Sequence, residues 1–538
     1  MTQDNLTNKQ LGADGQSQYA IFLPALSGFY SSYIGKQRGG VHVEPARMPA
    51  NIPDMEMLNW LNDQKALFPY KWSLYSAGHA NLDINKQDWA EDMVRNRDPN
   101  TFLLGDSGGF QIGKGRWEGD WKNPACPKAK QKREQVLAWM DAYMDYGMVL
   151  DVPTWITNFP QSRKVTGINT YQDAVDATYI NNEYFIANRS GKCKFLNVLQ
   201  GGNQTDAHKW YNTMKKYCDP KQYPGKHFNG WALGGQHTSD IELVLKRIVT
   251  LRFEGLLEEG LHDWMHFLGI GRLEWALMLT DIQRAVRKYH NPNFTVSFDC
   301  ASPFLATANG QVYHQIDIQD RKKWCYRMSP IVDDKKYATD TRTYRDAVMQ
   351  DGLIKHFDES PMSANFLVKD ICYYKDGVPK TPAELGTETF DPANPAHYAV
   401  VPALNKIGKI GRTSWDSFSY ALLMGHNVWT HIESVQRSNR EYDAGICPIM
   451  LVEEKFEQLY FRDLVDAIFS IDNLEDALAF IEYHDKFWQR FVGTKGATGK
   501  KTVNSRTMFD ALFEIPDYTP VDEPDLDETK LEDLEKSA

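Results

Sequence analysis

Three aspartates occupy the same kind of position in this chain. Asp106, Asp151 and Asp299 each close a short apolar run: Leu103–Leu104, Val149–Leu150 and Val296–Phe298. A carboxylate so placed can attack an electron-poor carbon, carry a proton, or accept hydrogen bonds from a ligand. Three further runs end on a carboxamide or on glycines. Val198–Leu199 leads into Gln200-Gly201-Gly202, Ala232–Leu233 into Gly234-Gly235-Gln236, and Phe267–Leu268 into Gly269-Ile270-Gly271. Asp106 itself opens Asp106-Ser107-Gly108-Gly109-Phe110-Gln111. Glycine lacks a Cβ, so its backbone N–H and C=O can come close to a ligand. Taken singly, each piece has a plain structural reading: an Asp after a strand often caps the next helix, and a Gly pair often makes a turn. Six successive strand ends of this kind point to one shared site.

The elements that would position them alternate in a regular way. Strand-like runs fall at Tyr19–Leu26, Trp72–Ser76, Thr101–Leu104, Tyr146–Leu150, Phe195–Leu199, Gly230–Leu233, His266–Ile270 and Thr295–Phe298. Helical patterns lie between several of them, at Lys132–Tyr146, Tyr171–Asn188, Ala207–Tyr217, Ser239–Glu259 and Glu274–Tyr289. This predicts an α/β chain folded as a (β/α)8 barrel over residues 19–315, in which all strand C-termini surround one site. Residues 1–18 read as a flexible, polar lead without an apolar signal core. Residues 316–515 read as an α-rich accessory region, with helical patterns at Ser414–Gly425, Glu453–Phe469 and Leu474–Phe491. Residues 516–538 read as an acidic, disordered tail.

Composition bounds the remaining choices. Of 538 residues, 42% are hydrophobic and 24% charged, a globular balance. The net charge of −11 argues at first against nucleic acid. The tail, however, holds nine acidic residues against two lysines, so it carries −7 of that charge and leaves −4 on the rest. The 7 cysteines are scattered with no CxxC pair, which fits a reduced, cytoplasmic protein. No apolar run reaches the roughly 20 residues needed to span a bilayer.

The strand-end motifs resemble those of the tRNA-guanine transglycosylase superfamily. Asp106-Ser-Gly-Gly-Phe-Gln111, Gln200-Gly-Gly202, Leu233-Gly-Gly235, Leu268-Gly-Ile-Gly271, Phe298-Asp-Cys300 and Asn309-Gly-Gln311 follow that family's order and comparable spacing. The resemblance implies base exchange at an N-glycosidic bond through a covalent nucleotide–enzyme intermediate. It makes Asp299 the nucleophile and Asp106 the group that handles the base proton. It places Asp151 and Gln200 on a guanine-like edge, Gly234 and Gly235 at the 7-substituent, and Phe110 and Leu268 on the faces of the base, with Ser107 as a further substrate-binding residue.

The departures narrow the substrate. The tRNA enzymes carry a C-x-C-x2-C zinc site after the nucleophile, and this motif is absent here. No metal or other cofactor is expected; the alternative is a structural zinc drawn from Cys300, Cys325, Cys372, His314 or His356. Where the tRNA enzymes have two arginines contacting the anticodon loop, this chain has Leu305 and Ala308, and Gln236 stands where they usually have Leu. In these respects the chain is similar to phage and bacterial DNA 7-deazaguanine transglycosylases, which exchange guanine in DNA for a 7-deazaguanine, commonly 7-cyano-7-deazaguanine (preQ0), and so protect phage DNA from restriction. The expected partners are DNA and the free 7-deazaguanine base. Superfamily members often dimerise, so a homodimer is a further expectation. A tRNA-directed enzyme, a non-catalytic nucleic-acid-binding barrel and a sugar-polymer glycosidase are the alternatives.

A DNA substrate calls for positive charge along the phosphates. The candidate stretches are Lys128, Lys130, Lys132 and Arg133; Lys406, Lys409 and Arg412; and Lys495, Lys500, Lys501 and Arg506. His426, His431, Arg437 and Arg440 are further candidates, which placement on a helix surface explains equally well.

Overall fold

The computed structural model describes residues 17–38, 48–85, 93–322, 324–332, 334–372, 417–453 and 459–493, with the short segments 378–379, 382–389 and 398–399. Most of the N-terminal lead and the whole acidic tail lie outside them.

Eight parallel strands form one sheet: β1 (Ile21–Pro24), β2 (Trp72–Ser76), β3 (Phe102–Asp106), β4 (Tyr146–Met148), β5 (Lys194–Leu199), β6 (Gly230–Leu233), β7 (Trp264–Phe267) and β8 (Thr295–Cys300). From β2 onward each pairs with the next, and β8 pairs with β1. The last seam, between β1 and β2, is joined by a parallel bridge between Ala25 and Leu74, with Leu26 N–H donating to the Leu74 carbonyl at 3.0 Å. The chain is therefore a (β/α)8 barrel. Its strands read as continuous apolar runs because both faces are covered; β1, β2 and β6 are buried along their whole length.

The surrounding helices begin where the sequence supplies caps. The connecting helices are α1 (Gly28–Arg38), α2 (Pro127–Tyr143), α3 (Tyr171–Asn188), α4 (Gln204–Met214), α5 (Ile241–Phe253), α6 (Leu273–Tyr289) and α7 (Ser302–Ala308). Thr170 and Asp173 form a reciprocal capping box on α3. Asn203 and Asp240 accept backbone N–H groups at the starts of α4 and α5. Among the described residues, the β2–β3 connection holds only a 3-10 turn, Val94–Asn96. Inside the barrel, the Phe102 ring stacks on Trp264 at 4.4 Å, with Tyr146 beside it at 5.2 Å. These rings, from the N-terminal ends of β3, β4 and β7, make an aromatic floor at the end of the barrel opposite the strand C-termini.

The eighth helical position is filled in an unexpected way. The helix that directly follows β8, α7, has only 7 residues, all buried. A much later helix, α8 (Ser417–Asp443, 27 residues), packs against β1, α7, α6 and α1, and so occupies the slot between the last barrel helix and the first. Its buried polar residues fasten it there. Asn427 donates to Thr307 Oγ1 at 2.9 Å and accepts the Tyr313 N–H at 2.9 Å. His426 bridges Ser360 Oγ at 2.7 Å and the Tyr313 carbonyl at 2.8 Å. His431 stacks on Phe22 of β1 at 4.3 Å and on Tyr326 at 4.5 Å. Burial holds both imidazoles neutral, with pKa values lowered to about 4 for His426 and about 3 for His431. This corrects the expectation that His426 and His431 contact nucleic acid. Arg440 is paired with Glu433.

The rest of the C-terminal region also closes on the barrel. Helix α9 (Phe461–Ser470) packs on α6, and α10 (Leu474–Tyr483) packs on α5. Arg284 on α6 makes a bidentate pair with Asp443 at 2.8 and 2.9 Å. The expected boundary at 315/316 falls within strand β9 (Gln311–Asp317), which pairs antiparallel with β10 (Cys325–Pro330). One hydrophobic core runs from the barrel into these helices. Among the described residues, no helix is long and apolar enough to cross a membrane.

Candidate active site at the barrel mouth

Asp299 lies next to the end of β8, and one of its oxygens makes two hydrogen bonds. Its Oδ1 lies 3.0 Å from the Gly269 N–H and 3.1 Å from His266 Nε2. Gly269 adopts φ +66°, a left-handed conformation that favours glycine and turns this N–H toward the carboxylate. Asp106 ends β3 and accepts a hydrogen bond from Ser76 Oγ, at the end of β2, at 2.6 Å. Burial raises the Asp106 pKa, and the negative charge of Asp299 raises it further; the bonds from Ser76 and from the Gly108 N–H oppose the rise. The two carboxylates thus feel one another across the mouth while sitting in different environments.

Asp151 and Gln200 form the next pair. Gln200 Nε2 donates to Asp151 Oδ2 at 2.8 Å, and both side chains are buried. Burial is the main cause that raises the Asp151 pKa, to about 7; the Gln200 bond opposes it and the Asp106 charge adds to it. Two glycines leave room for this pair. A Cβ on Gly109 would lie 2.6 Å from the Asp151 carbonyl oxygen, and one on Gly234 would lie 2.8 Å from Gln200 Nε2. Gly235, at φ +55°, packs against the Gly201 backbone, and the Gln236 N–H donates to the Gly201 carbonyl at 2.8 Å.

The structure therefore brings Asp106, Ser107, Phe110, Asp151, Gln200, Gly234, Gly235, Leu268 and Asp299 to successive strand ends around one barrel mouth. Ser107 is fully buried, and its hydroxyl has no hydrogen-bond partner among the described residues. A buried hydroxyl without a partner is costly, so a ligand polar group at this point would relieve it. Phe110 is the second residue of the helical turn Gly109–Gly113 and remains partly exposed. Its ring lies 5.7 Å from that of Trp155, and Lys114 sits over the rings of Phe110, Trp155 and Phe159. Leu268 is half-buried at the end of β7.

Other expectations are placed differently. Lys406, Lys409, Arg412, Lys495, Lys500, Lys501 and Arg506 lie outside the described residues. In the stretch at 128–133, Lys128 pairs with Glu118 at 2.7 Å, while Arg133 is buried and donates to Asn181 at 2.6 Å. Arg133 is therefore a core residue of the α2–α3 packing. Of the side chains named for zinc, Cys300 faces His431 at 3.6 Å, Cys372 donates to the Val332 carbonyl, and His356 contacts Asp358. Among the described residues, no three His, Cys, Asp or Glu side chains are grouped to hold a metal ion.

Three site residues escaped the sequence reading: Ser76, His266 and Ser297. A signal did exist for Ser297, and the structure then ties His266 to it. Ser297 and Asp299 stand two apart on β8, hence on one face, and His266 is the register partner of Ser297 on β7. Comparison with family models and with curated proteins finds no match to this chain.

Proposed function

We propose that this chain is a base-exchanging transglycosylase that replaces guanine in DNA with a 7-deazaguanine, with preQ0, the 7-cyano base that the sequence resemblance implies, as the incoming base. One observation carries the reading. Two carboxylates from β3 and β8 share one mouth in unlike states: Asp106 is pushed toward its acid form, and Asp299 is held by donors on a single oxygen. Paired carboxyl groups with divergent environments suit an acid and a nucleophile.

The steps balance without a cofactor. An Asp299 oxygen attacks C1′ of the target nucleotide, and the C1′–N9 bond breaks with its electron pair passing to guanine N9. The Asp106 carboxylic acid supplies the proton that makes neutral guanine. The sugar is then held as an ester on Asp299, and Asp106 is left as carboxylate. An incoming 7-deazaguanine loses its N9 proton to Asp106 as N9 attacks C1′. The C1′–O bond breaks, its pair returns to Asp299, and both groups are restored. A nearby carboxylate also stabilises the oxocarbenium character of both transition states, as in retaining glycosidases.

Base recognition follows from the Asp151–Gln200 pair and Ser107. Ionised Asp151 would accept guanine N1–H and N2–H, while Phe110 supplies a stacking face worth about 1–3 kcal/mol. To reach this mouth, a base must leave the duplex stack. Support for DNA over tRNA comes from α7: Leu305 and Ala308, at the positions of the anticodon-reading arginines in the resemblance, are buried beneath α8. This reading puts the protein in the cytoplasm, the host's if it is phage-encoded, with protection from restriction as its benefit.

The test is to give the protein labelled guanine or 7-cyano-7-deazaguanine with duplex DNA, single-stranded DNA or tRNA in parallel. Label is expected in DNA and is expected to vanish in Asp299→Ala. Label in tRNA alone would overturn the DNA assignment. Label in none would overturn base exchange.

A further inference from the structure

Beneath Asp299 runs a chain of hydrogen bonds whose direction can be worked out from donor chemistry. Trp264 Nε1 lies 2.8 Å from Ser297 Oγ, Ser297 Oγ lies 2.9 Å from His266 Nδ1, and His266 Nε2 lies 3.1 Å from Asp299 Oδ1. An indole N–H can only donate, and Asp299 Oδ1 already accepts the Gly269 N–H. The proton between His266 and Asp299 therefore sits on Nε2. With that proton on Nε2, Nδ1 is the ring's acceptor, and the Ser297 hydroxyl, whose oxygen takes the Trp264 N–H, donates to it. The order Trp264 to Ser297 to His266 to Asp299 matches every donor with an acceptor. Its origin is anchored, because Trp264 is stacked on Phe102 in the barrel floor. Its middle is shielded, because His266 and Ser297 are fully buried and are register partners on adjacent strands.

Resting on the base-exchange reading, we infer that His266, locked in its Nε2–H tautomer by Ser297 and Trp264, is a positioning residue that makes Oδ2 of Asp299 the attacking oxygen. Oδ1 is occupied by two donors, His266 and the Gly269 N–H, whereas Oδ2 has no hydrogen bond among the described residues. Attack through Oδ2 leaves both donors in place. Oδ1 becomes the ester carbonyl oxygen and keeps accepting from them. When the C1′–Oδ2 bond breaks, its electron pair returns to the carboxylate and the same donors stabilise the restored charge. A carboxylate free to rotate would instead present either oxygen and would need reorienting in each half-reaction. Fixed geometry at the reacting atom is what such a support contributes.

The test measures kcat, KM for the free base, KM for the nucleic acid and thermal midpoint in four proteins: wild type, His266→Phe, His266→Gln and Ser297→Ala. His266→Phe removes the donor and is expected to lower kcat on the order of 10²-fold, the scale for losing one preorganised donor, with both KM values little changed. His266→Gln restores an N–H near the Nε2 position and is expected to recover most of kcat. Ser297→Ala, which releases the tautomer, should fall between them. A wild-type kcat in His266→Phe overturns the inference, as does an equal loss in the Phe and Gln variants. Because a buried substitution can impair folding, 15N spectra of histidine-labelled wild-type protein give a second test: the neutral Nε2–H form of His266 is expected, and the Nδ1–H form overturns it. A wild type that exchanges no base in any nucleic acid removes the base-exchange reading and the catalytic role with it, while the tautomer result still decides the relay.

Discussion

Gln200 and Asp151, from the ends of β5 and β4, are joined by a 2.8 Å hydrogen bond in a buried site, with the carboxyl pKa raised to about 7. The bond points one way, from the amide N–H to Oδ2. It leaves Oδ1 of Asp151 and the Gln200 carbonyl oxygen to meet a ligand whose edge mixes donors and acceptors. The arrangement costs stability while the pocket is empty, since a buried carboxylate lacks the solvation it has in the unfolded chain.

Asp151→Asn should therefore separate stability from function. A carboxyl whose pKa is raised on folding, from about 3.9 to about 7, contributes stability that is full below pH 4 and is lost as pH rises through 7. Asparagine cannot ionise, so it escapes this loss. The variant is expected to match wild type near pH 4 and to exceed it by a few kcal/mol at pH 8, the order set by about 1.4 kcal/mol per pKa unit. Thermal midpoints across pH 4–8 check this. The same variant should raise KM for guanine by roughly 10–100-fold, because charge-assisted hydrogen bonds are worth about 1.5–3 kcal/mol. A variant that loses stability at pH 8 would contradict the burial argument.

Ser76→Ala tests the acid–base role of Asp106. The 2.6 Å bond from Ser76 opposes the raised pKa, so its removal lets the pKa climb further. The limb of the kcat profile that reports Asp106 acting as an acid should move to higher pH, with KM for the base little changed. A limb that stays in place would assign the proton transfer elsewhere.

Gly234→Ala tests the close approach between β6 and β5. Its Cβ would stand 2.8 Å from Gln200 Nε2, so Gln200 must move off Asp151. Gly202→Ala is the matched control, since a Cβ there meets nothing within 4 Å. Gly234→Ala is expected to raise KM for the free base about tenfold or more, the equivalent of about 1.4 kcal/mol, while Gly202→Ala leaves it near wild type. Equal behaviour of the two would deny Gly234 a place at the base.

Much of this site was legible in the sequence because short parallel strands buried on both faces leave an apolar run with a sharp polar end. The Trp72–Ser76 and Gly230–Leu233 runs match their strands residue for residue, and Asp106, Asp151, Gln200 and Asp299 mark strand ends. The β7 run was displaced toward its C-terminus, to His266–Ile270, because Leu268-Gly269-Ile270 reads as apolar although Gly269 turns out of the strand. That displacement hid the register that pairs His266 with Ser297. The role of α8 was hidden for a different reason. The apolar pattern at Ser414–Gly425 predicts only the first part of this Ser417–Asp443 helix, and periodicity does not say which groove a helix fills when about 110 residues separate it even from α7. His426 and His431 looked like surface groups because a buried polar residue is recognised only by its partner, and the Tyr313 carbonyl and the Phe22 ring are both distant in sequence.

The seating of α8 on the barrel gives the last prediction. Tyr442 OH, near the end of α8, donates at 2.9 Å to Asp281 Oδ2 on α6, and burial raises the Asp281 pKa to about 7 against the pull of this bond. Tyr442→Phe removes the donor without changing the ring. At pH 8, where Asp281 is largely ionised, loss of this donor to a buried carboxylate should cost about 1–3 kcal/mol, with the charges of Arg462 and Arg284 still favouring the ionised form. At pH 5 the carboxyl is protonated and the cost should shrink. Because the Asp281 pKa is raised on folding, its contribution to wild-type stability already declines from pH 4 to 7, and the variant should steepen that decline. Because one core joins the barrel to α8, α9 and α10, unfolding should remain a single transition in both proteins, shifted to lower temperature in the variant. Calorimetry at the two pH values reads both outcomes. A second transition appearing in Tyr442→Phe would show that the C-terminal helices form a separate folding unit and that α8 is not the barrel's eighth helix in an energetic sense.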